Sequence, residues 1–204
     1  MRRCSYSFED RQRRQVEMKT ALIVIDVQRD FCEGGVLSAL DTNTLIGPLN
    51  GLIEFCNSKN IPLFFTRDWH PVNHKSFKQY GGLWPVHCVQ GSWGAGFPTN
   101  LLMPEGSVII DKETLPDQVS YSDFRATGLQ EKLKNLKIDE IAVCGIATEY
   151  CVKAGTIDGL KLGFGVIVLT DLIRPIDTNA GDAALKEMKD AGAILKESRN
   201  WMPG

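Results

Sequence analysis

"EIAVCGIATEYCVKAGTIDGLKLGFGVIVLT", residues 140–170, decides the fold. It opens on an apolar run (140–145) and closes on another (164–170). Between them, "TEYCVKAGTIDGLKLG" (148–163) has helical patterning. Both runs are continuous rather than alternating, as strands buried on two faces are. Two such strands joined through a helix form a β-α-β unit, and a crossover of that length pairs its strands in parallel.

The same signature repeats outward from this unit. Further strands are expected at "TALIVID" (20–26), "PLFFTR" (62–67), "SVIID" (107–111) and a short "AILK" (193–196). Helices are expected over 43–60, 127–137 and 179–192. The first places Leu45, Leu49, Leu52, Ile53 and Cys56 on one stripe, with its start drawn toward Pro48. The second places Leu129, Leu133 and Leu136 on another. The fold class is therefore α/β: a three-layer sandwich, with a six-stranded, mainly parallel sheet, helices on both faces and Rossmann-like topology. Residues 19–204 read as a single domain. Residues 1–18 are Arg-rich and polar without the apolar core of a secretory signal, and read as an N-terminal extension, either a peripheral helix or a disordered arm, with Met18 an alternative start.

Composition narrows the function. The chain has 204 residues, 43% hydrophobic, with a net charge of -2. That balance suits neither a nucleic-acid partner nor a membrane surface. The six cysteines contain no CxxC pair, and a core this size needs no disulfide, so a reduced, cytoplasmic setting is expected. A homo-oligomer is compatible with the sequence.

Ligands of open α/β sheets bind beyond the carboxyl ends of the strands. Those ends carry Asp26 in "VIDVQRDF", Asp68 and His70 in "TRDWH", Asp111 and Lys112 in "IIDKET", and Cys151 at the start of a helix. Alone, Cys151 reads as a packing thiol, since free cysteines are usually buried. Beside the other tips it reads as a nucleophile. A helix N-terminus and a nearby lysine, with Lys112 the candidate, both lower a thiol pKa. Asp26 is the candidate base, and free N–H groups at the helix start can hold an oxyanion.

Residues 68–106 lack periodicity and hold all three histidines. A loop of that length in a compact domain is often functional. Asp68 and His70 lie two apart and so on one side of an extended segment, with His87 further along. One carboxylate and two imidazoles suit a divalent ion: Zn²⁺ first, with Fe²⁺ or Mn²⁺ as alternatives. His74 and Cys88 are lesser ligand candidates. Phe31, Trp69, Trp84 and Trp93 offer either loop packing or a slot for a flat ring, Phe31 and Trp84 being best placed for the slot.

Taken together, "VIDVQRDFCEGG", "TRDWHPVNHKSF", "GGLWPVHCVQGSWGAGF", "IIDKET" and "GIATEYCVKAG" resemble the nicotinamidases (pyrazinamidases) of the isochorismatase-like cysteine hydrolases. The resemblance runs from about residue 20 to the C-terminus. It implies a catalytic triad at Asp26, Lys112 and Cys151, and a metal held by Asp68, His70 and His87, with His74 outside that set. It implies an oxyanion hole from the N–H groups of Ala147 and Cys151, and a cis peptide at Ile146–Ala147. Ring contacts would come from Phe31, Trp84 and Tyr150. The implied activity is hydrolysis of nicotinamide, and of pyrazinamide, to the acid and ammonia, within NAD salvage. The alternative is a related cysteine amidohydrolase acting on another small amide or an N-carbamoyl compound. A non-catalytic metal-binding module would be expected to have lost part of the triad, and none is missing.

Overall fold

The computed structural model describes residues 18–202, and the expected extension, with Cys4, lies almost wholly outside them. Six strands form one sheet: β1 (Thr20–Ile25), β2 (Leu63–Asp68), β3 (Val108–Lys112), β4 (Glu140–Ile146), β5 (Gly165–Arg174) and β6 (Ile194–Lys196), in the order β3-β2-β1-β4-β5-β6. Every pairing is parallel, so the expected mainly parallel sheet is wholly so. The chain runs outward from β1 to β3, then returns to place β4 on the other side of β1. That reversal opens a crevice at the carboxyl ends of β1 and β4.

Successive residues of β1 face opposite sides of the sheet. Leu22 and Val24 join the core beneath α1 (Ile46–Ser58), with Leu49, Leu52, Ile53 and Cys56. Ala21, Ile23 and Ile25 join the other core, beneath α2 (Leu129–Asn135), α3 (Lys153–Lys161) and α4 (Thr178–Asp190). A short α5 (Ser198–Trp201) closes the chain, its Trp201 packing against the first core. Among the described residues, no helix is long and apolar enough to cross a membrane.

Two expectations needed correction. The first helix begins at Ile46, two residues ahead of Pro48, which is tolerated because first-turn N–H groups have no intrahelical acceptor. Leu136 does not belong to the buried stripe: α2 ends at Asn135, Leu136 is 44% exposed, and the next turn buries Ile138 instead.

The sheet bends next to the crevice. The β4–β5 register shifts between Val143 and Gly145, and such irregularities re-aim a strand at its end. Gly145 has φ +116°, and a Cβ there would run into the Ile25 carbonyl. Only glycine lets β4 pass this close to β1. The Ile146–Ala147 peptide that follows is cis.

Burial separates the two leucines that helical spacing grouped together. Leu133→Ala should cost about 2–5 kcal/mol of stability, and Leu136→Ala less than about 1 kcal/mol. Urea denaturation midpoints of the two variants check this.

Candidate active site

Each strand tip delivers its side chain to the crevice. At the end of β1 the chain turns at Asp26, whose φ is +48°, a left-handed conformation that Asp tolerates better than most residues. Thr66 of β2 donates its hydroxyl to Asp26 Oδ1 at 2.8 Å. Lys112, the last residue of β3, donates Nζ to Asp26 Oδ2 at 2.6 Å and lies 3.1 Å from Asp68 Oδ1. Asp26 is fully buried and Lys112 is 1% exposed. Cys151 completes the group: its sulfur and one oxygen from each of Asp26 and Asp68 all lie within 4.8 Å of one another.

Cys151 sits in a single wide turn, Thr148–Val152, that leads into α3. Turns of this kind recur at functional sites. Tyr150 and Val152 both donate their N–H to the Ala147 carbonyl, and the Cys151 N–H between them does not. Ala147 and Cys151 both line the pocket.

The expected lowering of the thiol pKa is not found. Burial raises the Cys151 thiol well above its ordinary value, and Asp26, Asp68 and Asp123 add to that, while Lys112 pulls the other way without prevailing. Desolvation of a thiolate inside the fold outweighs one shared ammonium. Burial likewise raises Asp26 against the pull of Lys112. The thiol therefore stays protonated in the resting site, with a carboxylate of elevated basicity beside it.

The second cluster forms where the long loop crosses β2. His70 Nδ1 donates to the His87 carbonyl at 3.2 Å, and His87 Nδ1 donates to the Pro85 carbonyl at 2.8 Å. A carbonyl can only accept, so both Nδ1 atoms carry protons. The His87 Nε2 is left to face Asp68, whereas the His70 Nε2 lies 2.7 Å from Glu113 Oε2; burial works to lower the His70 pKa, but the Glu113 hydrogen bond and the Asp68 charge raise it. Each Nε2 stands 3.9 Å from Asp68 Oδ2. Donors bound to one ion at about 2.1 Å stand no more than about 4.2 Å apart, so the spacing fits a divalent metal, which would take His70 Nε2 in place of its Glu113 contact. Burial lowers the His87 pKa, which favours the neutral, ligating ring. His74 is engaged otherwise: Nε2 donates to the Gln118 carbonyl at 2.8 Å and Nδ1 lies 2.7 Å from Ser76 Oγ.

Between the clusters lies a pocket reached by Asp68, His70, His87 and Cys151 and walled by Phe31, Trp84 and Tyr150. The Trp84 and Tyr150 rings meet edge to face at 5.1 Å, and Phe31 lies 5.7 Å from His87. Trp93 and Trp69 are elsewhere. Trp93 is 66% exposed in a separate cleft with Arg29, and Trp69 packs under Arg67.

Three residues escaped the sequence reading. Tyr121 accepts the Trp84 indole N–H at 3.1 Å. Glu113 places Oε2 2.7 Å from His70 Nε2. It directly follows Lys112, and neighbours on a strand point opposite ways. The left-handed backbone at Glu113, φ +53°, ends the strand and swings its carboxylate inward. The third is Asp123, considered below.

The Isochorismatase domain model matches residues 20–199. The chain belongs to this family. It is 35% identical to the nicotinamidase of Escherichia coli (strain K12) over 204 residues, covering 89% of this chain and 96% of that protein. Its fold is similar to that of the Pyrococcus horikoshii pyrazinamidase in complex with zinc, with 42% identity, a TM-score of 0.85, and coverage of 88% of this chain and 99% of that one. It is also similar to L. infantum PnC1 in complex with nicotinate, with 35% identity, a TM-score of 0.80, and coverage of 89% and 94%. The thiol and carboxylates at the strand tips of this chain converge on one buried lysine.

The two histidines that look alike in sequence differ in their partners. His87→Ala should remove bound divalent metal from the purified protein, and His74→Ala should retain it. Metal-to-protein ratios by plasma emission spectrometry decide between them.

Proposed function

We propose that the chain is a nicotinamide amidohydrolase, converting nicotinamide to nicotinate and ammonia within NAD salvage and accepting pyrazinamide as well. The observation that carries this reading is Cys151, backed by the buried Asp26–Lys112 pair, in an aromatic pocket that Asp68, His70 and His87 also line. The E. coli relative named as a nicotinamidase and the nicotinate complex of the L. infantum relative support it.

The chemistry follows from the protonation states. Asp26 takes the proton from Cys151 Sγ as the sulfur attacks the carboxamide carbon, so no free thiolate has to form in the buried site. Lys112 holds Asp26 in place and offsets its charge. The oxyanion is held by the N–H groups of Ala147 and Cys151. As the C–N bond breaks, Asp26 returns the proton to the leaving nitrogen, which departs as ammonia and leaves a thioester on Cys151. Asp26 then takes a proton from water, the resulting hydroxide attacks the thioester carbon, and the C–S bond breaks. Nicotinate leaves, and the proton on Asp26 goes back to the sulfur.

The ring is gripped by Phe31, Trp84 and Tyr150. Asp68, His70 and His87 would hold the divalent ion, which we assign as zinc on the strength of the P. horikoshii complex. Bound there, it would supply a Lewis-acid partner for a pyridine or pyrazine nitrogen. That demand for a ring nitrogen favours nicotinamide over open-chain amides and N-carbamoyl compounds. A cytoplasmic setting is supported by Cys32, Cys56, Cys88, Cys144 and Cys151 all being free thiols.

Cys151→Ala should lower ammonia release from nicotinamide by at least about a thousandfold while the circular dichroism spectrum is unchanged. Turnover near the wild-type rate would remove Cys151 from the mechanism.

A further inference from the structure

Asp123 belongs to none of the motifs, yet the segment between β3 and α2 brings it beneath the active site. It is 1% exposed, and neither of its carboxylate oxygens has a hydrogen-bond partner among the described residues. Oδ1 lies 3.7 Å from Lys112 Nζ. The ammonium therefore faces three carboxylates: Asp26 at 2.6 Å, Asp68 at 3.1 Å and Asp123 at 3.7 Å. On its other side Asp123 meets Gly155, four residues beyond Cys151. A Cβ at Gly155 would collide with Asp123 Oδ2, so the helix that follows the nucleophile leaves space for this carboxylate.

An unbonded carboxylate is a poor choice for filling space, because burying it costs free energy that an apolar side chain of similar size would not. Its nearest cation is the lysine on which the proposed base depends. We propose that Asp123 is a positioning residue of the amidase site, sharing the Lys112 ammonium with Asp26 and so setting how tightly Asp26 and Cys151 hold their protons. This rests on the roles given above to Asp26 and Cys151.

The groups facing Asp123 are Lys112 from β3, Asp26 beyond β1, Asp68 and the Thr66 hydroxyl from β2, and Cys151 from the turn before α3. Burial pushes the Asp123 carboxyl up to about 7 against the pull of Lys112. A cation held at Asp68 would take up that carboxylate's charge and leave Asp26 and Asp123 to divide the lysine. With Asp123 neutralised, Lys112 acts on Asp26 undivided. Asp26 then becomes a weaker base, and Cys151 gives up its proton more readily.

The test is Asp123→Asn in the full-length, metal-loaded protein. Iodoacetamide labelling of Cys151, followed by peptide mass mapping against pH, should show its midpoint about one pH unit lower than in the wild type. For nicotinamide, kcat at the pH optimum should fall about tenfold, while KM stays within about twofold because Asp123 does not line the ring pocket. Should the Asn variant fail to fold, Asp123→Ser makes the same removal of charge with a smaller side chain. A folded variant whose labelling curve overlays that of the wild type, even with a lower Tm, overturns the proposal. So does a raised KM at unchanged kcat. A wild-type protein inert toward nicotinamide would overturn the amidase reading, and the labelling curve would still decide the role of Asp123.

Discussion

An ammonium group removed from water, as that of Lys112 is at 1% exposure, has to find anionic partners or lose its charge. Here those partners come from different parts of the chain: Asp26 beyond β1, Asp68 at the end of β2 and Asp123 from the segment before α2. They hold Lys112 charged, raising its pKa against the cost of burial. The consequence is mechanical as well as electrostatic. The tips of β1, β2 and β3 are pinned to one point, and the residues that do chemistry inherit that fixity. Cys151, the proposed nucleophile, sits against the same point from the other side of the switch in strand order.

That switch is set by backbone constraints rather than by charge. The Gly145 backbone meets Ile25 too closely for any side chain, the register of β4 shifts there, and the chain then leaves the sheet into the turn that carries Cys151. Ala147 and Cys151 therefore line the pocket rather than continue the strand. The sheet order and the site geometry follow from one close approach.

Much of this was legible from residue types alone. Continuous apolar runs gave all six strands, because strands covered on both faces leave no room for alternation. Asp26, Asp68, Lys112 and Cys151 were legible because ligand sites of such sheets lie at strand ends, and His87 through its resemblance-bearing "WPVHC" block. What stayed hidden was set by features with no local signature. Glu113 turns inward through a left-handed backbone that an Asp-Lys-Glu run does not announce. Asp123 comes beneath Lys112 only through the path of a loop. The raised thiol pKa depends on burial, which a helix start and a neighbouring lysine, read from sequence, do not reveal. Leu136 kept the helical spacing past the point where the helix had already ended.

Charge balance links the two clusters that the sequence presented separately. Around Lys112, three carboxylates face one ammonium, an excess of two negative charges within a volume from which water is largely excluded. Such an excess is not sustained at low dielectric without protonation or a counter-ion. The Asp123 carboxyl, pushed up to about 7 by burial against the pull of Lys112, is where protonation answers it most readily. A divalent ion at Asp68, His70 and His87 would supply the other, since its charge matches the excess and Asp68 belongs to both clusters. An ion held there would draw off the Asp68 charge and leave more of Lys112 to Asp26, so metal loading and the basicity of the proposed catalytic carboxylate would be coupled through a single shared side chain.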